Sequence, residues 1–144
     1  MAYADYGFDI YTRLKAVLIS GVGRVEIVNR HLMPTLEDEC EFVYKFKRGI
    51  AIRLNSDTYN DEASDAYNER IYIYVLRCFV VDSDEDQQGI IDFAESVKYT
   101  LEQNKNDSSD NWQHIKIVNI DYALQEEMRP LKFADIEIEV LKDG

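Results

Sequence analysis

The chain has 144 residues, with 16 Lys and Arg against 28 Asp and Glu, for a formal net charge of -12. That length fits one domain, 1–144, able to bury a self-supporting core, and an apolar fraction of 46% excludes a disordered chain. The acidic balance argues against binding to phosphate backbones or anionic lipid.

Asp9–Ser20, DIYTRLKAVLIS, places Ile10, Leu14, Val17 and Leu18 at helical spacing. Asp9 serves as N-cap or first-turn acid, and Gly21 and Gly23 stop the run. Residues 24–28, RVEIV, alternate as a short strand. Pro34 interrupts the following segment, in which CEFVYKF (40–46) is a further candidate strand. IAIRL (50–54) is a strand with Ile50, Ile52 and Leu54 on one face, followed by a polar, flexible hairpin insert at about 55–69. RIYIYVLRCFVV (70–81) is rich in β-branched and aromatic residues, which favour a strand. The acidic run DSDED (82–86) leads into an amphipathic helix, IIDFAESVKYTLEQ (90–103), with Ile90, Phe93, Ala94, Val97 and Leu101 along one face. NKNDSSDN (104–111) is turn-rich, and HIKIVNIDYAL (114–124) and FADIEIEVL (133–141) close the chain as strands. In the last strand Ile136, Ile138 and Val140 face inward, and Asp135, Glu137 and Glu139 face water.

Strands that mostly follow one another, with two helices, define an α+β fold: a mostly antiparallel sheet of about four to six strands with both helices on one face. The 70–81 strand is apolar on both sides, with Ile71, Ile73, Val75, Phe79 and Val81 on one and Tyr72, Tyr74, Leu76, Cys78 and Val80 on the other. Two helices cover one side. The other is covered either by a bent sheet or by a neighbouring subunit.

No constellation of catalytic or metal-binding residues emerges. Asp82, Asp84 and Asp86 begin like a calcium loop, but Gly89 arrives two positions late and Phe93 stands where a bidentate Glu closes the shell. Asp84, Glu85 and Asp86 are instead expected at the N-terminus of the second helix, complementing its dipole. His31, His114, Cys40 and Cys78 lack the spacing of local ligand pairs. The same two cysteines do not read as a disulfide framework. The two histidines have no triad-like setting, Glu137 and Glu139 share a solvated strand face, and SGVGRV (20–25) opens a strand rather than a helix. No cofactor is expected, and no enzymatic activity.

MAYADYGFDIYTRLK lacks the basic start and apolar run of a signal peptide. The stretch around Ile71–Val81 contains Arg77 and is too short to span a bilayer, so no membrane partner is expected.

The insert carries Asp57, Asp61, Glu62, Asp65 and Glu69 interleaved with Tyr59 and Tyr67. It is either a solvated loop or a contact arm. In the second case the tyrosines supply contact area and the acids select a basic partner. Tyr72 and Tyr74, on the second face of the central strand, are further candidate contacts.

This layout resembles the tail terminator, or tail completion, proteins of long-tailed bacteriophages. The correspondence runs from the DIYTRLKAVLIS helix through GIAIRLNS, ERIYIYVLRCFVVD, IIDFAESVKYTLEQ and HIKIVNIDYAL to QEEMRPLK and ADIEIEVL. It is one of order and texture, covers nearly the whole chain and rests on no diagnostic motif. The resemblance implies a non-enzymatic subunit of a homo-hexameric ring in the tail or neck of a virion, assembled in the host cytoplasm. Such a ring caps the head-proximal end of the tail tube, touches sheath protein where the tail contracts, and offers a surface to head-completion or neck proteins. DNA passes through its pore without specific binding. A head-side neck connector and a small α+β ligand- or cation-binding module are the alternatives.

Overall fold

The computed structural model describes residues 6–23, 26–29, 48–60, 69–81, 88–107, 112–123 and 131–143. The periodic N-terminal segment forms helix α1 (Tyr6–Val22), with Asp9 in its first turn. Ile10, Leu14, Val17 and Leu18 are all buried, as their spacing predicts. The helix ends at Gly23, whose φ of 89° lies in the left-handed region open to glycine. The Gly23 amide donates back to the carbonyl of Ile19 at 3.2 Å, which satisfies one of the last free acceptors.

Five strands follow in one sheet: β1 (Glu26–Asn29), β2 (Arg48–Asn60), β3 (Glu69–Val81), β4 (His114–Ala123) and β5 (Leu131–Asp143). Helix α2 (Gln88–Gln103) lies between β3 and β4 in sequence. The spatial order is β1-β2-β3-β5-β4. β1 runs parallel to β2, and the other neighbours are antiparallel. The fold is thus α+β with a mostly antiparallel sheet.

Both helices lie against the same face of the sheet. That face contributes Ile50, Ile52, Tyr72, Tyr74, Leu76, Cys78, Ile136, Ile138 and Val140 to one core with Ile10, Leu14, Leu18, Ile90, Phe93, Val97 and Leu101. Burial of each large apolar side chain contributes about 1.5–3 kcal/mol, so the even-numbered side of β3 and the inward side of β5 are where the sheet is fixed. The acids Asp135, Glu137 and Glu139 occupy the opposite side of β5 and are only half-buried.

The helices meet closely at Gly21. A Cβ there would sit 2.4 Å from Thr100 Cγ2 and 2.8 Å from Thr100 Oγ1. Thr100 cannot easily move aside, because its hydroxyl donates to the carbonyl of Ser96 at 2.9 Å and its own side chain is buried. Gly21→Ala is therefore expected to destabilise the protein by about 1–3 kcal/mol through overpacking, despite alanine's better helix propensity. Thr100→Ala should recover most of that loss in the double variant, as measured by urea denaturation.

Two expectations need correction. The segment at 55–69 is in part strand: β2 continues to Asn60 and β3 starts at Glu69. The ladder persists because β2 shifts register between Leu54 and Ser56, leaving Asn55 as the extra residue of a bulge, and then pairs on with Ile73 to Glu69. Residues 61–68 of the insert lie outside the described residues. The second helix begins at Gln88 and its first turn carries no acid, so the expected dipole role of Asp84, Glu85 and Asp86 falls outside the described residues. The candidate strand at 40–46 also lies outside them.

The second concerns Tyr72 and Tyr74 as candidate contacts, and turns on which side of β3 the helices cover. They lie over Tyr72, Tyr74, Leu76 and Cys78, so these tyrosines are core residues. On the other side Ile71, Ile73 and Val75 are half-buried. At one end of that side Phe79 and Phe133 are buried with ring centroids 5.8 Å apart. Arg77 stands over the Phe133 ring at 4.7 Å and holds both Asp135 oxygens, at 2.7 and 3.0 Å. A fork-shaped cation suits both contacts, giving a bidentate pair and a cation–π contact together.

Candidate interaction surfaces

The eight residues singled out from the sequence as contacts do not form one surface. Asp57 and Tyr59 lie on β2, opposite Tyr72 and Arg70 in register. Asp61, Glu62, Asp65 and Tyr67 lie outside the described residues. Tyr72 and Tyr74 are removed from the surface altogether, with 2% and 1% exposure. The Tyr74 hydroxyl donates to the carbonyl of Gly7 in the first turn of α1. The Tyr72 hydroxyl accepts from the Arg70 guanidinium at 3.0 Å. Each phenol thus combines a packed ring with a satisfied polar tip, as a buried tyrosine requires.

Among the described residues no group of His, Cys, Asp and Glu is arranged to hold a metal ion. Cys78 is a free, buried thiol. Burial, and secondarily the Asp135 charge, pushes its pKa far above the ordinary thiol range, so it stays neutral and unreactive. His114 is exposed at the start of β4.

Sequence reasoning passed over the turn after α2. Trp112 is 1% exposed, and its Nε1–H donates to the Asn104 carbonyl at 3.0 Å. Asn104 in turn donates through Nδ2 to the carbonyl of Thr100 at 2.9 Å. The Ile115 amide donates to Lys105 O at 2.9 Å, and the Gln113 amide to Leu141 O at 2.8 Å. Asp107, whose side chain is 2% exposed, accepts from Arg13 Nε at 3.1 Å and ties the same turn to α1. The available signal was a lone tryptophan inside an otherwise polar segment.

Exposed large apolar side chains mark another part of the surface. On α2, Asp92, Glu95, Tyr99 and Glu102 recur at helical spacing and are all exposed, Tyr99 to 65%. Tyr122, on the edge strand β4, is 39% exposed. Burial first, and then the Glu95 carboxylate, holds the Tyr122 pKa above its ordinary value. α1 exposes Phe8 and Ile19. No described helix is long and apolar enough to cross a membrane.

The geometry defines a small α+β domain. No family model and no curated protein matches the chain. Among solved structures, it is similar to a chain of the virion of a native gene transfer agent particle. The TM-score is 0.52 and the identity 13%, with 94% of this chain and 92% of that chain covered. At that identity the likeness is one of fold.

Proposed function

We propose that this protein is a structural subunit of a phage-like virion, acting as a tail terminator. The observation that carries the reading is the near end-to-end match in fold to a chain of a gene transfer agent virion, covering 94% of one chain and 92% of the other. The order of elements, which resembles that of tail completion proteins, supports the same assignment. In this reading the chain forms a homo-hexameric ring on the head-proximal end of the tail tube. It stops elongation and presents a surface to head-completion or neck proteins, and to the sheath where the tail contracts. It has no enzymatic activity and needs no cofactor. A net charge of -12 suits a ring through which DNA passes without sticking.

Purified protein mixed with tail tubes is expected to cap one tube end as a ring visible by negative-stain imaging. A subunit that stays monomeric at high concentration and never caps tubes would overturn the proposal, and binding to heads but not tails would transfer it to the head-side connector. Replacing Tyr59 and Tyr67 together by Ala is expected to leave the fold intact and reduce capping.

A further inference from the structure

We infer that β4 is the contact strand of a two-fold homodimer, in which the β4 edges of two copies pair antiparallel and join their sheets. Among the described residues β4 ends the sheet on one side, and the short β1 ends it on the other. A long edge strand without proline is a template for another strand. Its outward positions follow from its hydrogen bonds. The Ile115 amide turns away from β5 and donates to Lys105 O at 2.9 Å, so alternation turns Ile117 outward as well. β4 then shifts register against β5 between Ile117 and Asn119. That makes Val118 the extra residue of a bulge and passes the outward positions to Ile120 and Tyr122. Since Lys105 closes the edge at Ile115, the stretch open to a second strand begins at Lys116.

The occupant follows from the fit of this stretch to itself. With the axis between Val118 and Asn119, Lys116 of one copy faces Asp121 of the other, and Ile117 faces Ile120, each twice. Exposed Val118 then lies at the axis. Directly opposed residues of an antiparallel pair share a sheet face, and both matches meet this condition. Lys116 and Asp121 oppose Glu139 and Asp135 of β5, on the side away from the helices. Ile117 and Ile120 oppose Ile138 and Ile136, and both pack against the core while keeping part of their surface. Without the bulge, alternation would put the members of each match on opposite faces. Charge agrees with this register. Lys116 and Asp121 are exposed, and among the described residues Lys116 forms no ion pair. Asp121, held by Asn119 Nδ2 at 3.0 Å, stands opposite Asp135, a like-charge opposition that a lysine from a second copy offsets. A two-fold contact closes at two copies, whereas a six-membered ring needs head-to-tail contacts. The dimer is therefore a state of the free subunit and does not rest on the tail reading.

The test is sedimentation velocity over a concentration series, at moderate salt to screen the repulsion between two chains of -12 each. A monomer–dimer equilibrium is expected. Asp121→Lys turns both cross-copy pairs into like charges while relieving the opposition to Asp135. It should weaken dimerisation by about tenfold or more in a protein that stays folded. Lys116→Asp should weaken it similarly. An equimolar mixture of the two variants should dimerise again, because each supplies the charges that the other lacks. Lys116→Asp combined with Asp121→Lys in one chain restores self-pairing, and serves as the second variant if Lys116→Asp alone folds poorly beside Glu139. A monomer at every concentration, a self-association that neither single variant weakens, or charge-exchanged chains that stay monomeric would each overturn the inference.

Discussion

Trp112→Ala is expected to cost about 3–5 kcal/mol of folding stability, the range for truncating a buried tryptophan. For a domain of this size that lowers the melting temperature by roughly 10 °C or more. The loss exceeds the packing of one ring because the side chain holds a junction. Its Nε1–H caps the Asn104 carbonyl just past the end of α2, and the backbone around it bonds to both Lys105 and Leu141. Without the indole, the start of β4 and the end of α2 lose their common support. Trp112→Phe separates the contributions: it retains most of the apolar contact and removes one hydrogen bond, for about 1 kcal/mol beyond the change in volume. Calorimetry on the three proteins gives the ordering directly, and an alanine variant as stable as the parent would contradict the packing described.

Tyr74→Ala is expected to have an effect of similar size, about 3–5 kcal/mol, with Tyr74→Phe losing only about 0.5–1.5 kcal/mol. The ring is 1% exposed beneath α1, and its hydroxyl ties the middle of the sheet to the first turn of that helix at Gly7. The pair of variants distinguishes a core role from a surface one. A residue that contacts a partner would leave the denaturation midpoint unchanged and weaken association, whereas a core residue shifts the midpoint in the isolated protein. Urea denaturation of the two variants should show the second pattern.

The helices were legible in the sequence because a single stripe of apolar residues can face only one way. Ile10, Leu14, Val17 and Leu18, and likewise Ile90, Phe93, Ala94, Val97 and Leu101, are all buried. The orientation of β5 was legible for the same reason, since Ile136, Ile138 and Val140 alternate with acids. β3 carried no such information. Both of its sides are apolar, so alternation left open which one the helices cover. The choice depends on contacts between distant segments, such as Tyr74 reaching Gly7. Polarity also misplaced the end of β2. Residues 55–60 look like a loop by composition, yet pairing with Ile73–Glu69 of β3 keeps them in the ladder.

The strand order has a consequence for how the protein is made. β5 lies between β3 and β4, bonded to each along its length, although both precede it in the chain. A nascent polypeptide that has emerged only through β4 therefore holds two unjoined halves, each with a bare strand edge toward the vacant middle. The sheet closes when residues 131–143 slot between them, bringing Ile73 against Glu139 across the whole of α2 and β4. Such late, distant pairing is slow compared with local contacts. Residues 131–143 thus act as a keystone, and until they emerge the ribosome-bound chain is at its most prone to pairing with the wrong neighbour.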